Sequence, residues 1–188
     1  MQGGLDTAAA AMTKPGEIAY ADLEPFRVNG GLPTGFMATG VFNNGKPMGV
    51  LAFELSSEQL NGLLGSRLGL GETGETILVG SDHLLHNDSA FTAENDVLTT
   101  RYETPQVDAA LAGEIQPVTR VSSYRDTAML AVAAPVAFEG HNWALVATIA
   151  EAEALMPLVS MRNSILAGSA VVLALAVIFG LIFSRSVT

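Results

Sequence analysis

The stretch Ile165–Phe183 reads ILAGSAVVLALAVIFGLIF, with no charge and a single hydroxyl, Ser169. As a helix rising about 1.5 Å per residue it would extend roughly 28 Å, enough to cross the hydrocarbon core of a bilayer. Arg162 and Arg185 flank it, and long basic side chains can reach out of the hydrocarbon to the two interfaces. A buried helix of this length in a globular domain would keep a polar face, and this stretch has none. A signal peptide stands at the start of a chain, whereas this segment stands near its end. The chain therefore reads as a globular part followed by one transmembrane helix.

The residues before the span suffice for one domain with a real core. All nineteen acids lie at or before Glu153, beside seven of the nine basic residues. Such an acidic domain repels phosphate backbones, so no nucleic-acid partner is expected. There is no cysteine, hence no disulfide framework, no thiolate metal site and no cysteine nucleophile. Met1-Gln2-Gly3-Gly4 opens without the apolar run of a leader. The chain is expected to be a piece of a longer protein whose first membrane anchor lies upstream.

The local patterns predict an α+β domain. Leu5–Met12 is alanine-rich and reads as a helix end broken by Lys14-Pro15-Gly16. Glu17–Asp22 is a strand candidate, and Glu24–Pro33, with two prolines, a loop. Gly35–Phe42 and Lys46–Leu55 flank Asn43-Asn44-Gly45, a strong hairpin signal. Ser56 with Gln59 forms a capping box ahead of a helix whose Leu60, Leu63 and Leu64 share a face. Glu75–Gly80 and Leu84–Asp88 read as strands around a Ser81-Asp82 turn, and Phe91–Thr104 as irregular. Val107–Leu111 reads as a helix ended by Gly113. Ile115–Tyr124, Thr127–Phe138 and Asn142–Ala150 form an antiparallel meander, turning at Arg125-Asp126 and Glu139-Gly140. A last helix begins near Glu151, with its acids favourably in the first turn, and runs through Pro157 into the span without a linker.

Several motifs invite a chemical reading and resist it. Gly69-Leu70-Gly71-Glu72-Thr73-Gly74 matches G-x-G-x-x-G, but a strand follows it where a nucleotide site needs a helix, so it reads as a tight turn. His83 and His86 lie three apart in a strand and should point to opposite faces, so no metal site is expected there. His141, in a turn, has no evident partner. No serine shows a nucleophile elbow, so no catalytic residue, cofactor or metal ligand is assigned. Tyr20, Asp22, Phe26 and Arg27 gather aromatic, acidic and basic groups near a loop, a set that could hold an amine or amino acid. On the span, Ala170 with Ala174 and Ala176 with Gly180 are small-xxx-small pairs that let helices approach.

Together these segments resemble the double Cache (dCache) sensor domain of bacterial membrane receptors. The resemblance is carried by Tyr20–Phe42 (YADLEPFRVNGGLPTGFMATGVF), Gly45–Leu55 (GKPMGVLAFEL), Gly69–Ala90 (GLGETGETILVGSDHLLHNDSA), Ala110–Glu114 (ALAGE) and Trp143–Glu153 (WALVATIAEAE). It spans nearly the whole chain and is most specific over residues 69–90. The family usually has glycine at the position of His83 and arginine near that of His86.

The resemblance implies a PAS-like Cache domain with an antiparallel sheet and flanking helices, followed by one transmembrane helix. It places the end of a membrane-distal subdomain and its connecting helix at residues 1–66 and the membrane-proximal subdomain at 67–150. A juxtamembrane helix follows at 151–164, the membrane helix at 165–183 and the entry to a cytoplasmic HAMP-like linker at 184–188. It implies a non-enzymatic sensor of a small molecule, an amino acid or other metabolite, in a homodimeric chemotaxis receptor. The location would be the bacterial inner membrane, with the sensor periplasmic or extracellular. Tyr20 and Asp22 look like the acidic end of the family's amino-acid motif, with most of the pocket upstream of Met1. The alternatives are the sensor of a histidine kinase or nucleotide cyclase, or a membrane-anchored structural protein without a ligand.

Overall fold

The computed structural model describes residues 4–11, 14–122 and 127–187. It is α+β, with one unit over 1–150 and a second formed by the last helix. The first unit opens with α1 (Gly4–Ala11), followed by β1 (Ile18–Phe26), β2 (Leu32–Asn43) and β3 (Lys46–Ser56) in an antiparallel sheet of order β1-β2-β3. Asn44 and Gly45 form the two-residue β2–β3 loop with φ of 49° and 78°, the left-handed pair that matches strand twist and favours Asn-Gly.

The expected loop over Glu24–Pro33 is corrected. β1 continues to Phe26, a short 3₁₀ turn spans Arg27–Asn29, and β2 begins at Leu32, with Pro25 opposite Pro33. Pro25 is tolerated because β1 is an edge strand, whose outer N–H row has no ladder to complete, and Pro33 because it stands before β2 begins to pair with β3 at Thr34. Between Ala21 and Glu24 the register shifts, so Asp22 and Leu23 together oppose Gly35. This is a β-bulge, which turns a side chain away from the regular pleat.

Ser56 caps α2 (Ser57–Leu64) with both halves of its capping box formed. Leu60 is buried and Leu64 packs inward, but Leu63 is exposed, which corrects the three-leucine face; this helix covers the sheet along a narrow stripe only. The second sheet has β4 (Glu75–Val79), β5 (Thr119–Ser122), β6 (Ala128–Phe138) and β7 (His141–Ala150) in the order β4-β7-β6-β5, all antiparallel. The meander is therefore present, with β5 beginning at Thr119 rather than Ile115; Ser123, Tyr124 and Arg125-Asp126 lie outside the described residues. The strand expected over Leu84–Asp88 reduces to two bridges, Val79 with Leu85 and Leu84 with Arg101. The buried Asn87 side chain takes over the ladder there. Its Oδ1 accepts from Leu78 N at 2.7 Å and its Nδ2 donates to Thr76 O at 3.2 Å.

The period of two sorts the second sheet's residues. Ile77, Val79, Met129, Ala131, Ala133, Ala144 and Val146 pack in one core with Val107 and Ala110 of α3 (Pro105–Leu111). Leu78, Trp143 and Leu145 face the other way and meet Tyr20, Met37 and Leu55 of the first sheet. The first sheet's opposite face, with Ala21, Phe36 and Ala38, is covered by α1 through Ala8 and Leu5. Gly69 and Gly71 have φ of 83° and 74°, and β4 follows them, so the G-x-G-x-x-G run is a turn, tied by Arg67 Nε donating to Gly74 O at 3.1 Å.

In the second unit, α4 (Glu151–Val187) is one helix with Pro157 inside it. It begins at the residue after β7 ends. It is the one helix among the described residues long and apolar enough to cross a membrane.

Candidate functional site

The polar groups that gather inside the first unit are Tyr20 and Asp22 of β1, His86 of the segment after β4, and His141 and Trp143 of β7. They come from three separate stretches, and Tyr20 and Asp22, two apart on β1, face the others by strand alternation. The Asp22 carboxylate is the hub. Its Oδ1 accepts from Leu23 N at 2.8 Å, and its Oδ2 accepts from the indole Nε1 of Trp143 at 3.1 Å. His86 Nδ1 stands 3.7 Å from Oδ1 and His141 Nδ1 stands 3.5 Å from Oδ2. His141 Nε2 lies 3.2 Å from Tyr20 O, which can only accept, so this nitrogen carries a proton.

Aromatic rings close the cluster. Tyr20 meets Phe138, His141 and Trp143 edge-on at centroid separations of 5.3, 5.1 and 5.6 Å. His86 meets Trp143 edge-on at 5.8 Å. Such edge-to-face pairs direct positive ring edges at negative ring faces and add to the burial of the rings. The His141–Phe138 register pair across the Glu139-Gly140 turn puts both rings at one end of the β6–β7 hairpin.

Burial sets the electrostatics. Tyr20 is 7% exposed, and its hydroxyl has no partner among the described residues. Desolvation, then the Asp22 charge, push its ionisation above the ordinary tyrosine range. His86 is 2% exposed, and its Nδ1 likewise has no hydrogen-bond partner among the described residues. Desolvation lowers its pKa from the ordinary 6.5; the Asp22 and Asp82 charges oppose this and His141 adds to it. Asp22 keeps its side chain 25% exposed.

Two of the sequence-derived site residues, Tyr20 and Asp22, thus lie together, but Phe26 and Arg27 do not join them. Phe26 packs on the opposite face of its sheet against Phe36 at 4.9 Å, and Arg27 is exposed in the 3₁₀ turn. The bulge and the turn separate residues that sequence spacing places together. The expectation that His141 has no partner is corrected. Its partners are more than a hundred residues away, on β1, where no local pattern reveals them. His83 and His86 diverge: His83 Nε2 meets Asp108 Oδ1 at 2.8 Å, while His86 turns to Asp22. Among the described residues no three His, Asp or Glu side chains converge as metal ligands do.

No protein-family model and no curated protein matches the chain. Solved structures do match in fold. The periplasmic sensory domain of the Campylobacter jejuni chemoreceptor Tlp1 aligns over 79% of this chain and 55% of its own, at 13% identity and a TM-score of 0.61. The ligand-binding domain of the Pseudomonas fluorescens chemoreceptor CtaA, in complex with L-isoleucine, aligns over 81% of this chain and 58% of its own, at 17% identity and a TM-score of 0.55. The same domain with L-alanine aligns over 77% and 59%, at 16% identity and a TM-score of 0.51. The chain therefore spans less than two thirds of these structures. Its fold is that of the sensory domains of bacterial chemoreceptors, as the resemblance to the double Cache domain implies.

Proposed function

We propose that this chain is the extracytoplasmic sensor portion of a bacterial transmembrane signal transducer, of the chemotaxis-receptor type, together with its second membrane helix. The observation that carries this reading is the direct succession of a chemoreceptor-type sensory fold and a 37-residue helix, with no residue between Ala150 and Glu151. A domain that only needs tethering can hang on a flexible linker; a stiff connection suits a domain whose small internal shifts must travel.

In this reading residues 1–66 end a membrane-distal subdomain and 67–150 form the membrane-proximal one. β3 supports that division: nine of its eleven residues, Lys46 to Glu54, are exposed, and it ends its sheet, as a strand does when further strands belong beside it. Residues 151–164 form a juxtamembrane helix paired with its twin in a homodimer, 165–183 cross the inner membrane, and 184–188 enter a HAMP-like linker. The first unit faces the periplasm or exterior. The ligand is a small molecule, with amino acids first in line. Asp22 offers a carboxylate to its ammonium and Tyr20 an aromatic wall. The reading is of a binding domain, not an enzyme.

Thermal-shift screening of the full chain in detergent against amino acids, amines and small carboxylates tests this. At least one compound should raise the melting temperature, and Asp22→Asn should abolish that shift. A complete screen without any shift sinks the ligand assignment.

A further inference from the structure

Both oxygens of the Asp22 carboxylate already accept an N–H, one from Leu23 and one from Trp143. His86 approaches that carboxylate without bonding to it, since 3.7 Å is beyond hydrogen-bond reach. Its Nδ1 has no partner among the described residues, and the ring is buried. The ring's other nitrogen is walled by backbone: a Cβ built on Gly80 would lie 2.3 Å from Nε2. The groups that face this imidazole are Asp22 from β1, Asp82 from the turn after β4, and His141 from β7. Trp143 of β7 lies against its ring.

A neutral imidazole fits such a seat, because an unpaired nitrogen costs far less to bury than a charge. A protonated one does not. Imidazolium forms its charge-assisted bond at about 2.7–2.9 Å from a carboxylate oxygen, shorter than the 3.7 Å here, so a protonated ring is drawn towards Asp22 or out to water. Either movement disturbs Trp143, whose indole lies edge-on to the imidazole at 5.8 Å. Trp143 packs with Tyr20, Leu78 and their neighbours where the two sheets meet, beside the Asp22 carboxylate that it bonds.

We infer that His86 is an acid-sensitive latch between the two sheets: neutral His86 holds the Asp22–Trp143 junction closed, and a proton on His86 loosens it. The chain would then carry a proton input beside any small-molecule input. The latch works whether or not Asp22 takes a ligand. The direction of the His86 shift agrees with it, because burial favours the neutral form. β7 carries Trp143 and ends where α4 begins, so a loosened junction acts on the strand that leads into the long helix.

Trp143 is the chain's single tryptophan, and its fluorescence reports on this junction alone. The full chain in detergent, with EDTA present, is titrated from neutral to acid. The expected result is a reversible change in Trp143 intensity with its midpoint below that of a free histidine. His86→Gln, uncharged at every pH, should abolish the change, while His141→Gln should keep it. Imidazole proton signals of the same samples, followed by NMR, should show His86 titrating at the fluorescence midpoint. A wild-type chain without the transition, or a transition that survives in folded His86→Gln, overturns the latch. If His86→Gln fails to fold at neutral pH, the NMR midpoint of wild-type His86 decides alone: a His86 that does not titrate with the fluorescence overturns the proposal.

Discussion

The indole N–H of Trp143 donates to the Asp22 carboxylate at 3.1 Å, across 121 residues of chain. This one bond joins the bulged edge strand of the first sheet to the strand that leads into α4. Hydrogen bonds to a charged group are worth about 1.5–3 kcal/mol each when lost from a desolvated site. With Asp22 a quarter exposed, we expect Trp143→Phe to destabilise the first unit by about 1–2 kcal/mol, towards the low end of that range. Denaturant titration followed by far-UV circular dichroism measures it. A loss no larger than that of Phe138→Leu would mean that the bond contributes nothing beyond ring packing.

Gly80 is a second test of the same junction. A Cβ there would lie 2.3 Å from His86 Nε2 and 2.8 Å from Asp82 Oδ1. Gly80→Ala should therefore destabilise by about 1–3 kcal/mol, as overpacking does. Part of that loss should disappear in the Gly80→Ala, His86→Ala double variant, since the ring that the new methyl meets is gone. Strictly additive effects in this cycle would place the strain elsewhere.

Stability should depend on pH through His86. Its folded pKa is lowered from 6.5 by burial, so below that value the unfolded chain binds the proton more readily than the folded one. By linkage, the contribution of neutral His86 is fully present above the unfolded pKa and is lost as pH falls towards the folded pKa. Melting temperature measured from pH 7.5 downwards should fall more steeply for wild type than for His86→Gln. Parallel curves would show that other groups govern the acid limb.

Topology is tested with introduced cysteines, because the native chain has none. Ser81 is exposed, and Ser81→Cys should react with an impermeant maleimide in intact spheroplasts. Ser186→Cys should react only after permeabilisation. The reverse pattern would turn the membrane orientation around.

The stretch 151–164 should behave as one helix packed on its twin. Met156, Val159, Ser160, Asn163, Ser164 and Ala167 line one shallow face of α4. Single cysteines along 151–164 should cross-link between subunits with a period near 3.6 residues. Two glycines inserted after Ser160 should uncouple the sensor from an attached output domain, because each lowers helix stability by about 1 kcal/mol and a loose joint absorbs shifts of roughly 1–2 Å. Aperiodic cross-linking, or unchanged output in the insert, would reduce the segment to a tether.

Features that depend on neighbours along the chain are legible in the residues themselves. The Ser56–Gln59 capping box, the Asn44-Gly45 turn and the apolar run of α4 each rest on contacts within a few residues, so composition and spacing determine them, and the meander is legible because strands that follow one another in sequence pair with one another. Asp22 and Tyr20 are legible as a pair for the same reason, being two apart on one strand. Their company comes from tertiary packing. A bulge of two residues opposite Gly35 puts Phe26 on the other face of the sheet from Tyr20, and the pairing of β4 with β7 brings Trp143 alongside the segment that holds His86. His141, which local pattern leaves partnerless, meets the same carboxylate. Strand order and bulge position are set by packing between distant segments, and a side chain's burial follows from both. The chemistry of a histidine depends on that burial, which sequence spacing does not contain.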